Sequence, residues 1–452
     1  MVMVADLVPG LKRWMQGLDL REAARAAVLR MVVAFLLHQG RMSCLQAAGA
    51  VRSQSRHRAQ LSRLLRRPSF RGLNINQALR QQLLALESLR GLFVFLIDAT
   101  LCSQAGKRTE NTHSTGNRQR RPRKGRRYGK QKHTRKSCHS FTMGLLITPS
   151  GLRLPFSIPH YTREYCRKKG HVHRTTAESA ADLIRQLPLP EEAEVVVLGD
   201  TAYEAEVVRA ACAERGYDWI FPCNPERVLA GGKPRPKVRS LLKDWSSWKL
   251  APVRFCPGQG PYVNYRRLSP HRIGPKAKPR TFYVHQERRN VHSLGEVRLL
   301  FSTAKPKLAK ATPDDVKILL TNSSRSVREV VELYALRWQI ELFFKELKST
   351  LGFHQYRFQE FAAVESWVEL ALTAFLYLEG YRARQLARRG LSDKQKQWWR
   401  HQRTHGLCQA VRQAAAQSEL EYLRDRLDTP GGIAKLKRLI RHSFAPEYQA
   451  AL

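Results

Sequence analysis

The sequence has few acidic residues for its length. Asp and Glu together number 37 in 452 residues against 79 Lys and Arg, so the formal net charge is +42. This balance excludes an ordinary metabolic enzyme that acts on small cations. It favours a polyanionic partner, because clustered Lys and Arg release counterions when they meet phosphates. Acidic membrane surfaces and ribosomal RNA are the alternative partners for such a charge.

Closely spaced cysteines are also missing. Of the eight cysteines, the nearest two are Cys212 and Cys223, so the sequence contains no CxxC zinc or redox motif. His171 and His173 lack the spacing and the cysteine partners of a metal finger, and we interpret them as phosphate-facing or structural residues. Scattered single cysteines in a long chain are typical of a reducing cytoplasm.

Long hydrophobic runs are absent as well. The apolar stretch Ala27–His38 is interrupted by Arg30, and no run approaches the roughly 18 residues expected of a membrane span. Met1–Gly10 has no basic segment of the kind that begins a signal peptide. We therefore expect neither a signal peptide nor a transmembrane helix.

The two ends of the chain are predicted to be helical and basic. Residues 1–90 contain helical apolar patterns, and between them Arg52–Arg71 carries seven arginines. A short basic helix of this kind suits the groove or backbone of DNA, and a solvated helix face is the alternative. We assign residues 1–90 to a helical DNA-binding domain and residues 376–452 to a basic helical C-terminal region.

The middle of the chain is predicted to be α/β. Leu92–Ala99 and Glu194–Leu198 have the apolar runs of buried strands, His139–Ile158 has a hairpin pattern, and Thr175 and Glu178 have capping-box spacing. The stretch from Cys223 to about Pro313 breaks this rhythm and is predicted to be a β-rich insertion. The core then spans residues 91–222 and 314–375, with residues 223–313 inserted between its two parts.

One segment of the core is strongly biased in composition. Lys107–Lys136 carries 13 Lys or Arg against a single acid, Glu110, and almost nothing apolar. Such a stretch cannot bury enough surface to fold by itself. It is either a disordered loop or a loop that orders on nucleic acid, and its place after a strand that ends in an acid favours the second.

Two acids stand at the ends of predicted buried strands, Asp98 in FLIDAT and Asp200 in VLGDTAYE. A carboxylate in such a place is costly unless a cation accompanies it. Each Asp alone is equally suited to capping the next turn. Together they indicate a Mg²⁺ site, because Mg²⁺ favours a few carboxylates plus phosphate oxygens.

A third acid lies on a long helix predicted over Ser326–Thr350. At the helical repeat, one stripe of that helix contains Tyr334, Arg337, Glu341, Lys345 and Lys348. Ordinary surface pairing is an alternative explanation, since Arg337–Glu341 and Glu341–Lys345 are both four residues apart.

The stripe also resembles a known signature. Tyr334, Arg337, Glu341 and Lys348 have the spacing of the Y-R-E-K signature of bacterial insertion-sequence transposases, in the IS-four-like group of DDE enzymes. The segments around Asp98 and Asp200, and LLTNSS before the helix, are similar to the same family. This resemblance covers about Leu92 to Phe375. It implies an RNase H-like fold with a β-rich insertion before the third acid.

The resemblance further implies what the residues do. Asp98, Asp200 and Glu341 would be catalytic and would hold two Mg²⁺ ions, for which Mn²⁺ can substitute. Tyr334, Arg337 and Lys348 would hold DNA near the scissile bond, and Lys345 lies on the same stripe. The implied activity is cut-and-paste transposition of inverted ends into target DNA, by a homodimer in the bacterial cytoplasm, associated with the nucleoid when bound to DNA.

Two other functions remain open on the residues alone. One is a non-catalytic, domesticated nucleic-acid-binding protein, and the other is a metal-dependent nuclease without strand transfer. The presence of all three acids argues against the first. Trp245 and Trp248 in the insertion either stack on an extruded base or belong to the core.

Overall fold

A computed structural model describes residues 7–18, 20–38, 42–51, 56–66, 74–104, 108–115, 136–231, 235–255, 280–305, 315–427, 431 and 434. The chain divides into two compact units. The first comprises Met1–Leu83, Ser103–Glu110 and Phe344–Leu452, and the second comprises Leu84–Cys102 and Asn111–Phe343. The first is helical, and the second is built around a large sheet.

The sheet has ten strands in the described residues. In chain order they are β1 Phe93–Gln104, β2 His113–Thr115, β3 Lys136–Ile147, β4 Arg153–Pro159, β5 Val195–Leu198, β6 Asp218–Pro222, β7 Ala251–Phe255, β8 Arg280–Val291, β9 Gly295–Thr303 and β10 Lys317–Thr321. The first five residues of β1 and all of β5 are buried, as expected for central strands covered on both faces.

Five strands form the RNase H-like part of the sheet. Their spatial order is β4-β3-β1-β5-β6, with the β3–β4 hairpin antiparallel and with β5 parallel to both β1 and β6. The first acid lies on β1 and the second directly follows β5. This arrangement confirms the mixed α/β, RNase H-like fold.

The β-rich insertion continues the same sheet. Strands β7, β8 and β9 pair in antiparallel fashion, and β9 pairs with β10, which in turn pairs with β6. The inserted strands thus extend the edge of the core sheet. The last core strand, β10, connects the two parts.

Helices and 3₁₀ turns complete this unit. The helices are Arg163–Lys169, Thr176–Arg185, Glu206–Glu214, Val327–Ala335 and the beginning of Trp338–Ser349, and the 3₁₀ segments are Thr201–Tyr203 and Val238–Ser247. The predicted capping boxes are present, since Thr175 exchanges hydrogen bonds with Glu178, and Ser326 with Glu329. Each satisfies backbone amides that a helix start would leave unpaired.

The prediction of a single helix over Ser326–Thr350 is wrong. One helix ends at Ala335 and the next begins at Trp338. Amides bond three residues back across this break, from Leu336 to Leu333 (2.8 Å) and from Arg337 to Tyr334 (3.1 Å), so the turn is tightened. The sequence has no proline or glycine at this position, and its apolar pattern continues across the break. For this reason the break could not be predicted from the sequence.

The helical unit is organised around the helix Phe361–Leu386. In the described residues, the other helices are Leu7–Gln16, Glu22–Leu37, Cys44–Ala50, Arg56–Arg66, Ile75–Leu84, Asp393–His401 and Thr404–Leu427, together with the rest of Trp338–Ser349. Trp367 of the central helix meets Phe35 at a ring separation of 4.8 Å, and the Tyr377 hydroxyl donates to the Leu7 carbonyl (2.7 Å).

The central helix is the one described helix that is long and apolar enough to cross a membrane, by length and composition. Of its most apolar window, 83% is buried inside the protein, which is the pattern of a core helix. Most of the basic segment Lys107–Lys136 lies outside the described residues, as do both flanks of the helix Arg56–Arg66 within the predicted basic stretch Arg52–Arg71.

Candidate catalytic site

Asp98 and Asp200 occupy equivalent positions on neighbouring parallel strands. The register pairs Phe93 with Val195 and Leu96 with Leu198, and continuing it by two residues places Asp98 opposite Asp200. The apolar runs fix both strands in the core, because each buries its side chains on both faces. The sheet thus brings two carboxylates to one edge, although 101 residues lie between them in the sequence.

Both carboxylates are held by backbone amides. Oδ1 of Asp98 accepts from the Ala99 amide (2.7 Å), and Oδ1 of Asp200 accepts from the Ala202 amide (2.9 Å) and so caps the 3₁₀ turn Thr201–Tyr203. Burial raises the pKa of Asp98, and the negative charges of Asp200 and Glu341 raise it further. The hydrogen bond from Ala99 and the positive charge of Arg337 lower this pKa, but by less. Asp200 and Glu341 therefore both lie near enough for their charges to act on Asp98.

The turn after Asp200 is held in place by close packing at Gly199 and by the buried side chain of Tyr203. A Cβ on Gly199 would lie 3.0 Å from atoms of both Phe221 and Tyr203, so the glycine permits this close packing. The Tyr203 side chain is buried, and the charges of Asp98 and Asp200 help burial to raise the pKa of its phenol. Its hydroxyl lies beside Thr142 without a hydrogen bond of standard geometry.

Glu204 completes this anchor. Its carboxylate is 3% exposed and pairs with Arg209 (2.7 Å) and with Arg227 (2.6 Å). Two guanidinium groups around one buried carboxylate satisfy its oxygens, which burial alone would leave at a high cost. The turn that carries Asp200 is therefore fixed by a buried tyrosine and a buried ion pair in succession.

Glu341 is held differently. It lies in the first turn of the helix Trp338–Ser349, and Nη2 of Arg337 donates to its Oε1 (2.9 Å). Arg337 stands in the break between the two helices and also interacts with Tyr334, whose pKa burial raises. Tyr334 in turn lies within electrostatic range of Asp200. Five of the seven predicted site residues thus lie near one another, namely Asp98, Asp200, Tyr334, Arg337 and Glu341.

A comparison with known protein families agrees with this arrangement. Residues 90–377 match the family model for the transposase DDE domain. This match begins just before β1, includes all three acids and covers more than half of the chain. The chain belongs to the transposase DDE-domain family. No curated protein matches it.

Membership in the DDE-domain family supplies part of the chemistry. Transposases of this family act on DNA and generally use divalent metal ions. In this transposase, no three His, Cys, Asp or Glu side chains of the described residues are gathered around one point. Carboxylate oxygens are nevertheless the donors that a hard divalent cation prefers. The acids therefore fit a metal in chemical type.

Lys345 and Lys348 belong to the other compact unit of the transposase. Both lie on Trp338–Ser349 beyond Phe343, where the helix passes from one unit to the next. Lys345 is exposed, and Lys348 contributes to the lowered pKa of His354, of which burial is the main cause. Their predicted contact with DNA remains a prediction.

Sequence reasoning missed Tyr203 and Glu204. Both are part of the GDTAYE segment that pointed to Asp200, but a polar residue in a short turn is ordinarily exposed. Only the direct succession of a buried strand, a glycine and an acid could have drawn attention to them.

The two tryptophans of the predicted insertion differ in what the structure describes. The ring of Trp248 stacks on the ring of His285, with 4.4 Å between the ring centres, and lies 4.6 Å from the ring centre of Phe301. The Trp245 side chain lies outside the described residues.

Proposed function

We propose that this protein is a cut-and-paste DNA transposase of the IS-four-like group. It binds the inverted ends of its element, cleaves phosphodiester bonds there with Mg²⁺, and joins the 3′ ends to target DNA. The observation that carries the proposal is the placement of Asp98 opposite Asp200 in a chain of the DDE-domain family, with Glu341 in electrostatic contact.

The three acids are proposed as the metal ligands and catalytic residues. Two bound Mg²⁺ ions, or Mn²⁺ in their place, would supply an activated water and relieve charge on the phosphate. Asp98 and Asp200 offer carboxylates already oriented by backbone amides. Glu341 offers a third, which Arg337 neutralises in the present arrangement.

The cationic neighbours of the acids are proposed to hold DNA. Arg337 presents a planar fork that matches two phosphate oxygens, and Tyr334 lies next to it. Lys345 and Lys348 follow on the same helix and act as point charges for the backbone. The basic segment Lys107–Lys136 and the helix Arg56–Arg66 would add contacts that do not depend on sequence.

Assembly and location are part of the same proposal. A homodimer would hold both ends of the element, with target DNA as the third partner, in the bacterial cytoplasm at the nucleoid. The net charge of +42 supports a polyanionic partner.

Cleavage of DNA that carries the ends of the element tests the proposal. Asp98→Ala, Asp200→Ala and Glu341→Ala should each abolish Mg²⁺-dependent cleavage and leave binding intact or slightly tighter, because an anion that faces phosphate is lost. An acid whose removal leaves near-normal cleavage does not belong to the site.

A pre-cut end separates a transposase from a nuclease. With the 3′ hydroxyl already free, the wild-type protein should join it to a target plasmid in Mg²⁺, and the three variants should not. Cleavage of intact ends without any joining would identify a nuclease that lacks strand transfer. Binding without either reaction would identify a non-catalytic protein.

A further inference from the structure

The segment that follows β4 forms a compact basic surface. Residues 160–174 contain five Lys or Arg and one acid, Glu164. The exposed cations and the exposed histidine are Arg163, Arg167, Lys168, Lys169, His173 and Arg174. These residues belong to the helix Arg163–Lys169 and to the loop after it. We call them the 163–174 surface.

Stacked rings make this surface rigid. His171 stacks on Tyr161 (4.3 Å) and on Tyr165 (5.6 Å), and the rings are within 12° of parallel in both pairs. Gly170 ends the helix in a left-handed conformation (φ +72°), and the His171 amide donates back to the Cys166 carbonyl (3.2 Å). The loop is therefore folded onto the helix, and little further ordering is needed when a ligand binds.

The surface is connected to the candidate site through three polar side chains. Tyr203 lies within electrostatic range of Asp98 and Asp200, and its hydroxyl is beside Thr142. Oγ1 of Thr142 shares a hydrogen bond of 2.5 Å with Nε2 of His160, the residue that directly follows β4. His160 is buried, and its neighbour His173 belongs to the surface. The surface and the strand acids are therefore linked through Tyr203, Thr142 and His160.

The needs of the fold account for only part of this charge. Lys168 pairs with Glu164 (2.7 Å), Arg174 pairs with Asp182, and cations in the last turn stabilise the helix end. Arg163 has no such reason, because a cation in the first turn opposes the helix dipole. Arg163 and Arg167 are four residues apart and thus lie one turn apart on the same helix side.

We propose that the 163–174 surface docks the phosphate backbone of duplex DNA that adjoins the Asp98 side of the site. The inference rests on the proposed function and gives the DNA a path across the sheet unit. Arg163 and Arg167 each contact a phosphate, and the stacked Tyr161, Tyr165 and His171 hold the loop in place. A surface of this type positions DNA without reading its sequence.

The test is a binding measurement on the full-length protein. Anisotropy of a short fluorescein-labelled duplex of arbitrary sequence is followed while NaCl is varied between about 50 and 200 mM. Arg163→Ala/Arg167→Ala should flatten the slope of log K against log salt by about 1.8, and weaken binding on the order of 10- to 100-fold near 0.1 M salt. Arg163→Lys/Arg167→Lys should restore most of the slope.

A matched variant provides the control. Lys243→Ala/Arg288→Ala removes the same charge from exposed positions in the stretch between β6 and β9, and should leave the slope nearly unchanged. A wild-type slope in Arg163→Ala/Arg167→Ala overturns the proposal, and so does an equal effect of the control pair. If the wild-type protein binds but never cleaves its ends, the proposed function fails while this measurement still decides on the surface.

Discussion

The strand-borne acids and the helix-borne acid are held by different means. Asp98 and Asp200 stand on adjacent parallel strands, and each accepts a hydrogen bond from a backbone amide one or two residues away. Glu341 follows a break between two helices and is bound by the side chain of Arg337. The first two are fixed by the sheet, whereas the third is fixed by an ion pair that is partly exposed.

This difference bears on how the site would be assembled. Backbone amides and sheet register position Asp98 and Asp200 before any ligand arrives, which favours preorganised catalysis. Glu341 must instead release the guanidinium of Arg337 before it can bind a metal ion. The strand acids are therefore expected to be indispensable for cleavage, whereas Arg337 is expected to leave Glu341 and position the scissile phosphate when DNA binds.

Removal of a strand acid should have the largest effect. Asp98→Asn keeps the size of the side chain but removes its charge, and cleavage of element ends should fall by at least on the order of 100-fold. The same change should stabilise the fold by about 0.5–1 kcal/mol, because it removes a partly buried charge that also lies near the charges of Asp200 and Glu341. Single-turnover cleavage and thermal unfolding measure the two effects. Normal cleavage would remove Asp98 from the site.

The stability gain of Asp98→Asn should depend on pH. The pKa of Asp98 is raised in the folded protein, chiefly by burial, so the charged form disfavours folding above that pKa. As the pH falls below the ordinary aspartate value of about 3.9, the group is protonated in both states and the penalty disappears. The variant should therefore gain stability at pH 7 and lose that gain near pH 3. An equal gain at both values would contradict this explanation.

Replacement of Arg337 tests the helix-borne side of the comparison. Arg337→Ala should slow cleavage on the order of 100-fold at saturating metal, because a misplaced scissile phosphate reacts slowly. Arg337→Lys should rescue only part of the rate, since a point charge cannot reproduce the bidentate fork. Single-turnover nicking with metal titrated is the measurement. A raised metal requirement with an unchanged maximal rate would mean that Arg337 only supports Glu341.

A buried ion pair supports the strand-borne side. Glu204→Gln leaves Arg209 and Arg227 without their anion next to the turn of Asp200, and should destabilise the fold by about 3 kcal/mol. Glu214→Gln breaks an exposed pair with Arg185 and should cost about 0.5 kcal/mol or less. Denaturant unfolding compares the two variants. Equal effects would show that Glu204 does not anchor this turn.

The smallest effect is expected at Tyr203. Tyr203→Phe removes a buried hydroxyl that has no hydrogen bond of standard geometry, so stability should change by less than about 1 kcal/mol. The hydroxyl lies in the field of Asp98 and Asp200, and its loss should shift the Mg²⁺ requirement for cleavage by up to about 10-fold. Calorimetric titration of Mn²⁺ checks the shift independently of activity. An unchanged requirement would make Tyr203 a packing residue only.

Much of the candidate site could be predicted from local patterns. The buried strands that end near Asp98 and Asp200 are apolar runs, and the capping boxes at Thr175 and Ser326 are fixed three-residue spacings. Such features depend only on residues that are a few positions apart, and they can therefore be predicted from the sequence alone. The association of Glu341 with Arg337 is also local, because one helical turn separates them.

Other features depend on residues far apart in the chain. The helix break at Leu336–Arg337 has no glycine or proline to mark it, and the burial of Tyr203 and Glu204 depends on Thr142, Phe221 and Arg227 on other elements. The sequence alone thus determined most of the elements, the three acids and the basic charge. Only the tertiary structure decided that Asp98 stands opposite Asp200 and that the inserted strands join the same sheet. Strand register is set by the combined packing and hydrogen bonding of whole strands, and no short segment encodes it.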